Sequence, residues 1–246
     1  MIGISKEKIF IYIIKMKYGK RKQTKTKRKP RSRYSNKVTL YKNIKVGGVP
    51  KSKIVKMRYV DNISINPSTS IASEIYRANS CFDPQYSLGG HQPMGFDQSF
   101  TDYKYGRVLG SKITVQCIPN NTIASGSNQL MFGVYLDNNA TADYSGFTSY
   151  IESPRTFSWG YCGHTILPTG RQPKAIAKYS PRAMAGSASA KDDDQQFTGA
   201  ADCERQFFYH IVVANADETT DPPAQRFMVT IEYLVKMTEP IVMTVS

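Results

Sequence analysis

Three histidines (His91, His164 and His210) and four cysteines (Cys81, Cys117, Cys162 and Cys203) are the side chains best suited to catalysis or metal ligation. Their spacing argues against both. None of the histidines has a carboxylate or second histidine at ligand spacing, and His210 falls inside an apolar run, where packing or hydrogen bonding is its expected role. Cys162-Gly-His164 could be half a metal site or a thiol–imidazole couple, but it falls in a turn between strands with no third partner. The cysteines lie 36, 45 and 41 residues apart with no C-x-x-C pair, so neither a zinc site nor a disulfide framework is expected. Buried free thiols in a reducing compartment are the expectation.

Two further stretches imitate binding sites. Gly106-Arg-Val-Leu-Gly110-Ser111-Lys112 approaches a phosphate-binding loop, which needs four residues between its glycines and a lysine directly after the second. Here three intervene, Ser111 displaces the lysine, and a strand follows where a helix should. Asp192-Asp-Asp194 offers oxygens to a hard cation but reads as a solvated loop. No nucleophile–base–acid set can be assembled. The chain is not expected to be an enzyme, and no cofactor or metal is expected.

The strongest chemical signal is charge. Between Lys15 and Lys37 stand twelve Lys or Arg and no acid. Residues 1–60 hold 20 cations against Glu7 alone, a net +19, whereas residues 61–246 hold 13 cations against 18 acids, a net −5. So biased a segment repels itself and buries too little apolar surface to offset its chain entropy. It predicts a disordered arm that meets a polyanion, attached to a body with a separate task. Lys15, Lys17, Lys20, Arg21, Lys22, Lys25, Lys27, Arg28, Lys29, Arg31, Arg33 and Lys37 would neutralise phosphates, and Tyr18, Tyr34 and Tyr41 could stack on bases. Lys27-Arg28-Lys29-Pro30-Arg31 also has the form of a nuclear localisation signal, which implies nuclear import factors as partners. The apolar run Ile9–Ile14 is far shorter than the roughly 20 residues that span a bilayer, and no membrane partner is expected. It reads as an extension from an upstream start, with Met16 opening the ordinary arm.

The elements that follow are strands. Val46-Gly-Gly-Val-Pro50 punctuates a boundary, giving an arm and linker over 1–50 and a body over 51–246. Period-two alternation predicts strands at Lys53–Ile65, Ile71–Ala78 and Arg107–Ile118, and a strand buried on both faces at Gln129–Leu136. Arg155–Tyr161, Lys174–Tyr179, Gln206–Ala214 and Arg226–Val235 complete eight, with no amphipathic helix longer than two turns. Eight strands with long polar connections favour an all-β fold, a single eight-stranded jelly roll of two packed antiparallel sheets, over an up-and-down barrel.

Three nearby segments carry a resemblance. Asn79-Ser-Cys-Phe-Asp-Pro84, then His91-Gln-Pro-Met-Gly-Phe-Asp-Gln98, then Tyr105-Gly-Arg-Val-Leu-Gly-Ser-Lys-Ile-Thr-Val115 resemble, in order and spacing, the capsid proteins of circovirus-like viruses with circular single-stranded DNA. The motif residues are His91, Gln92, Pro93, Gly95, Asp97, Gln98, Gly110, Ser111 and Lys112. Pro93 and Gly95 are expected to fix an irregular loop, with Asp97 and Gln98 satisfying its exposed backbone groups, as a structural lock without a ligand.

The resemblance implies a jelly roll closing into a small icosahedral shell with the basic arm inside, found in the virion and, during assembly, in the host nucleus. It also implies an unidentified host receptor. Over about sixty copies residues 1–60 would supply roughly 1,100 charges, the order of a single-stranded genome of about one to two kilobases. The alternative is a cellular nucleic-acid-binding protein with a β-sandwich body.

Overall fold

The structure is a computed structural model that describes residues 49–67, 69, 71–87, 90–118, 130–141, 144–162, 173–189, 193–217 and 221–241. Its strands are β1 (Ser52–Ile65), β2 (Ala72–Arg77), β3 (Tyr103–Ile118), β4 (Leu130–Asp137), β5 (Thr156–Cys162), β6 (Lys174–Tyr179), β7 (Gln196–Phe197), β8 (Phe208–Asn215) and β9 (Gln225–Pro240). Three short helices interrupt them: α1 (Phe96–Asp102), α2 (Phe147–Glu152) and α3 (Pro181–Ser189).

Two antiparallel sheets result, ordered β1-β9-β3-β6 and β2-β8-β4-β5. In the first sheet β7 also pairs with β3, at Gly106 and Arg107, beyond the reach of β6. Leaving β7 aside, the chain crosses between sheets at every step except the β4–β5 hairpin, in the jelly-roll manner, with first and last strands side by side. The expected fold is therefore the observed one.

Alternation sets which face turns inward. Met57, Tyr59, Ile113, Val115, Cys117, Val229, Ile231 and Tyr233 of the first sheet are buried against Phe132, Val134, Tyr209, Ile211 and Val213 of the second. Their sequence neighbours Lys56, Arg58 and Lys112 point outward. β4 is buried on both faces because its second face packs under α2: Tyr135, Phe147, Tyr150, Val212 and Ala214 form a smaller core of their own. Buried tyrosines keep a partner for each hydroxyl where the interior permits. Tyr59 and Tyr76 donate to Asp61 (3.3 and 3.1 Å), Tyr103 to the Pro50 carbonyl (2.9 Å), Tyr150 to Ser158 O (3.1 Å) and Tyr233 to Arg77 O (2.7 Å).

Three expectations need correction. Cys117 on β3 and Cys162 at the end of β5 form a disulfide, with Cα atoms 6.0 Å apart, so only Cys81 and Cys203 are free thiols. The two half-cystines belong to facing sheets, and a sequence separation of 45 residues concealed their proximity. Strand β3 begins at Tyr103, four residues before the expected start at Arg107; a bulge between Val108 and Gly110 breaks its phase, so its alternation is regular only from Gly110 onward. The two-residue β7 was too short for periodicity to register.

Candidate functional site

The segments that carry the resemblance converge at the end of β2. Asn79 and Ser80 are buried there, and every polar group has a specific task. Asn79 Nδ2 donates to Arg205 O (2.7 Å) while its Oδ1 accepts from Phe207 N–H (2.9 Å), tying the segment to the start of β8. Ser80 Oγ donates to Asp202 (2.5 Å). Ser111 reaches across from β3: its hydroxyl bonds Ala78 O at 2.5 Å and lies 2.8 Å from Tyr209 Oη. Asn79 and Ser80 therefore fasten the end of β2 to the approach of its neighbour β8, and Ser111 alone of the three ties one sheet to the other.

A buried arginine organises the same corner. Arg77 contacts Asp83 (3.2 Å) and Asp202 (3.1 Å), donates to Gln206 (3.1 Å) and to Asp83 O (2.6 Å), and lies under the Tyr86 ring at 5.0 Å. Burial raises the Asp202 carboxyl, with Ser80 and Arg77 opposing that rise. Burial likewise pushes the Cys203 thiol up to about 12 and Cys81 well up. Two neutral thiols and a compensated carboxylate–guanidinium set describe a structural joint with no nucleophile at hand.

Sequence reading passed over Arg77. A cation ending an otherwise half-buried strand, three residues before the motif's Ser80, was the available signal; Asp202 and Gln206 lie too far along the chain to suggest the pairing.

The second segment differs from expectation. Gly95 takes a left-handed backbone (φ 84°), the conformation that favours glycine, and starts α1. Pro93 is buried, and its carbonyl accepts from Phe96 N–H (3.1 Å). Asp97 and Gln98 lie exposed on α1 and make no capping bond; Ser99 Oγ and N–H bond Gly95 O instead, at 2.8 and 3.2 Å. The anchor is Phe96, 1% exposed and packed with Phe100 and Phe197. Gly106 completes the nest, since a Cβ there would come within 2.7 Å of the Phe197 ring. His91 stacks on Tyr59 (4.6 Å), and Gln92 is half-buried beside it.

The third segment is strand, not phosphate loop. Gly110 follows the bulge, Ser111 turns inward and Lys112 outward. Lys112 Nζ meets Glu232 Oε2 at 2.8 Å, and Glu232 Oε1 holds both Lys56 and Arg58 at 3.0 Å. Hydrogen bonds from Lys112, Lys56 and Arg58 pull the Glu232 carboxyl down to about 2.

Of the remaining candidates, His210 Nε2 lies 2.7 Å from Asn139 O with its ring on Tyr135 (4.5 Å), an ordinary packed histidine. Asp193 bonds Gln196 and pairs with Arg107 (3.3 Å). Among the described residues no group of three potential ligands could hold a metal ion, and no helix is long and apolar enough to cross a membrane. The arm residues from Lys15 to Tyr41, Asp192 and His164 lie outside the described residues.

No protein-family model matches the chain, and no curated protein matches it. Among solved structures it is similar to a chain of turnip yellow mosaic virus (12% identity, 82% of this chain and 89% of that one, TM-score 0.43). It is similar also to tobacco necrosis virus (14%, 77% and 97%, TM-score 0.42) and to the decameric BFDV capsid protein (10%, 76% and 99%, TM-score 0.40).

Proposed function

We propose that this chain is a structural protein of a virion, a capsid subunit of the circovirus-like type. Copies of its jelly roll assemble into a small icosahedral shell of about sixty subunits, and the arm packages circular single-stranded DNA by neutralising its phosphates. The reading is supported above all by the union of two features in one chain: a jelly roll without a catalytic set and a 60-residue segment of net charge +19. A jelly roll alone fits many functions. The three motif segments add to it, since their side chains are engaged in packing and in hydrogen bonds within the fold. Residues 27–31 double as a nuclear address, used before DNA sequesters the arm.

Electron microscopy of the expressed full-length protein tests the proposal. Closed shells that protect single-stranded DNA from nuclease are the expected result. A protein that stays monomeric or dimeric under assembly conditions overturns it in favour of a cellular nucleic-acid-binding protein. A reporter fused to residues 15–37 should enter the nucleus and lose that property when Lys27, Arg28, Lys29 and Arg31 become Ala; a cytoplasmic wild-type fusion removes the import role.

A further inference from the structure

Residues 51–246 hold 17 cations against 18 acids, and this net charge of −1 conceals a segregation of charge. Strand register lays the outer face of the first sheet out as rows. One row runs Arg58, Glu232, Lys112, Lys178 across four strands. Beyond it lie Lys56, opposite Leu234, and then Lys236 beside Arg107. On the other side come Lys174, opposite Gln116, and Arg226, opposite Ser64. Eight cations thus share a face on which, among the described residues, Glu232 is the only strand acid. Asp193 reaches Arg107 from the rim. Lys174, Lys178, Arg226 and Lys236 pair with no acid among the described residues.

The remaining side chains on the face are uncharged. Ile54, Met228, Leu234 and Ile176 are 41–54% exposed, set between the cations with Thr114, Thr230 and Gln116. Rows are about 6.6 Å apart and strands about 4.8 Å, a grid on which an extended phosphate backbone can meet successive cations while its bases lie on apolar side chains. A second copy of the same face would set eight cations against eight, which Coulomb repulsion disfavours.

We propose that the outer face of the β1-β9-β3-β6 sheet is a second polyanion site, on the folded body and separate from the arm, that takes single-stranded nucleic acid. Glu232 acts as its brake: it draws Lys56, Arg58 and Lys112 to itself, and phosphate must compete for them. The inference deepens the packaging reading and rests on it.

The test uses full-length protein and a poly-dT oligonucleotide, with affinity measured against salt. Changing Lys174, Lys178, Arg226 and Lys236 together to Gln breaks no ion pair, and should flatten the log–log salt slope by up to about 3, at roughly 0.7 per lost contact. Glu232→Gln should act oppositely, tightening binding several-fold; this second variant keeps the test decisive if the first folds poorly. Changing Lys20, Arg21, Lys22 and Lys25 to Gln reports on the arm alone. Loss on the arm variant with both face variants unchanged overturns the face site and leaves packaging standing. If wild-type protein ignores poly-dT, while the face variants lose affinity only for heparin, the face takes a sulfated polysaccharide and both readings fall.

Discussion

The two sheets present opposite solutions to the same problem, what to do with a second face. Over β4 and β8 the outer face of the β2-β8-β4-β5 sheet is covered by the chain itself: Phe147 and Tyr150 of α2 lie over Tyr135, Val212 and Ala214, with Tyr144 edge-on to Tyr135 at 4.9 Å, while Trp159 and Tyr161 of β5 stay half-exposed. Among the described residues no such lid lies over the outer face of β1-β9-β3-β6. Its residues are the charged and half-exposed ones that alternation leaves outside. Where the chain covers a face with its own aromatics, that face belongs to the fold. Where it leaves cations in rows, the face is available to something else. Mutations should therefore cost stability on one side and binding on the other.

Four measurements can break or sharpen that contrast. Tyr150→Ala removes a fully buried ring from the covered face and should lower unfolding stability by about 3–5 kcal/mol, whereas Thr114→Ala on the bare face should stay within about 0.5 kcal/mol. Equal costs by denaturant titration would erase the distinction. Between the faces, Cys162→Ala opens the disulfide joining the sheets and should cost about 2–4 kcal/mol. Consistently, unfolded protein should titrate two thiols without reductant and four with it. Ser111→Ala strands the Ala78 carbonyl and takes one partner from the Tyr209 hydroxyl at the joint, and should cost about 1–3 kcal/mol.

The smallest effect concerns acid. With its folded pKa held at about 2, below the free carboxyl's ordinary value of about 4.3, Glu232 contributes stability above that value and loses it as pH falls toward 2. The stability gap between wild type and Glu232→Gln should be constant from neutrality to about pH 5 and close below it. A gap that widens in acid would show that the three cations do not hold the carboxylate.

Much of this architecture was legible in the residues. The alternation of Ile113, Val115 and Cys117 against Lys112, Thr114 and Gln116 is the burial pattern of β3, and the continuous apolar run of β4 reflects two covered faces. What escaped was pairwise and distant. Cys117 gives no local sign of Cys162, nor Arg77 of Asp202, because such partners meet only once the sheets are stacked. Asp97 and Gln98 misled because their types suit capping, while the backbone at Gly95 needed only Ser99. The cationic face was hidden by summation: acids in the loops outnumber the cations that the strand register gathers on one side.

The pairing of β1 with β9 has a consequence in time. Ser52 sits opposite Thr238 and Ile65 opposite Gln225, so the first strand's whole length depends on the last. During synthesis β1 leaves the ribosome early and must wait, unpaired, until nearly the entire chain has followed. Non-local pairing of this kind folds slowly and leaves a long strand edge open to neighbours meanwhile. The cations directly upstream repel the same segment in other nascent chains, and so guard the slowest strand of the fold until its partner arrives.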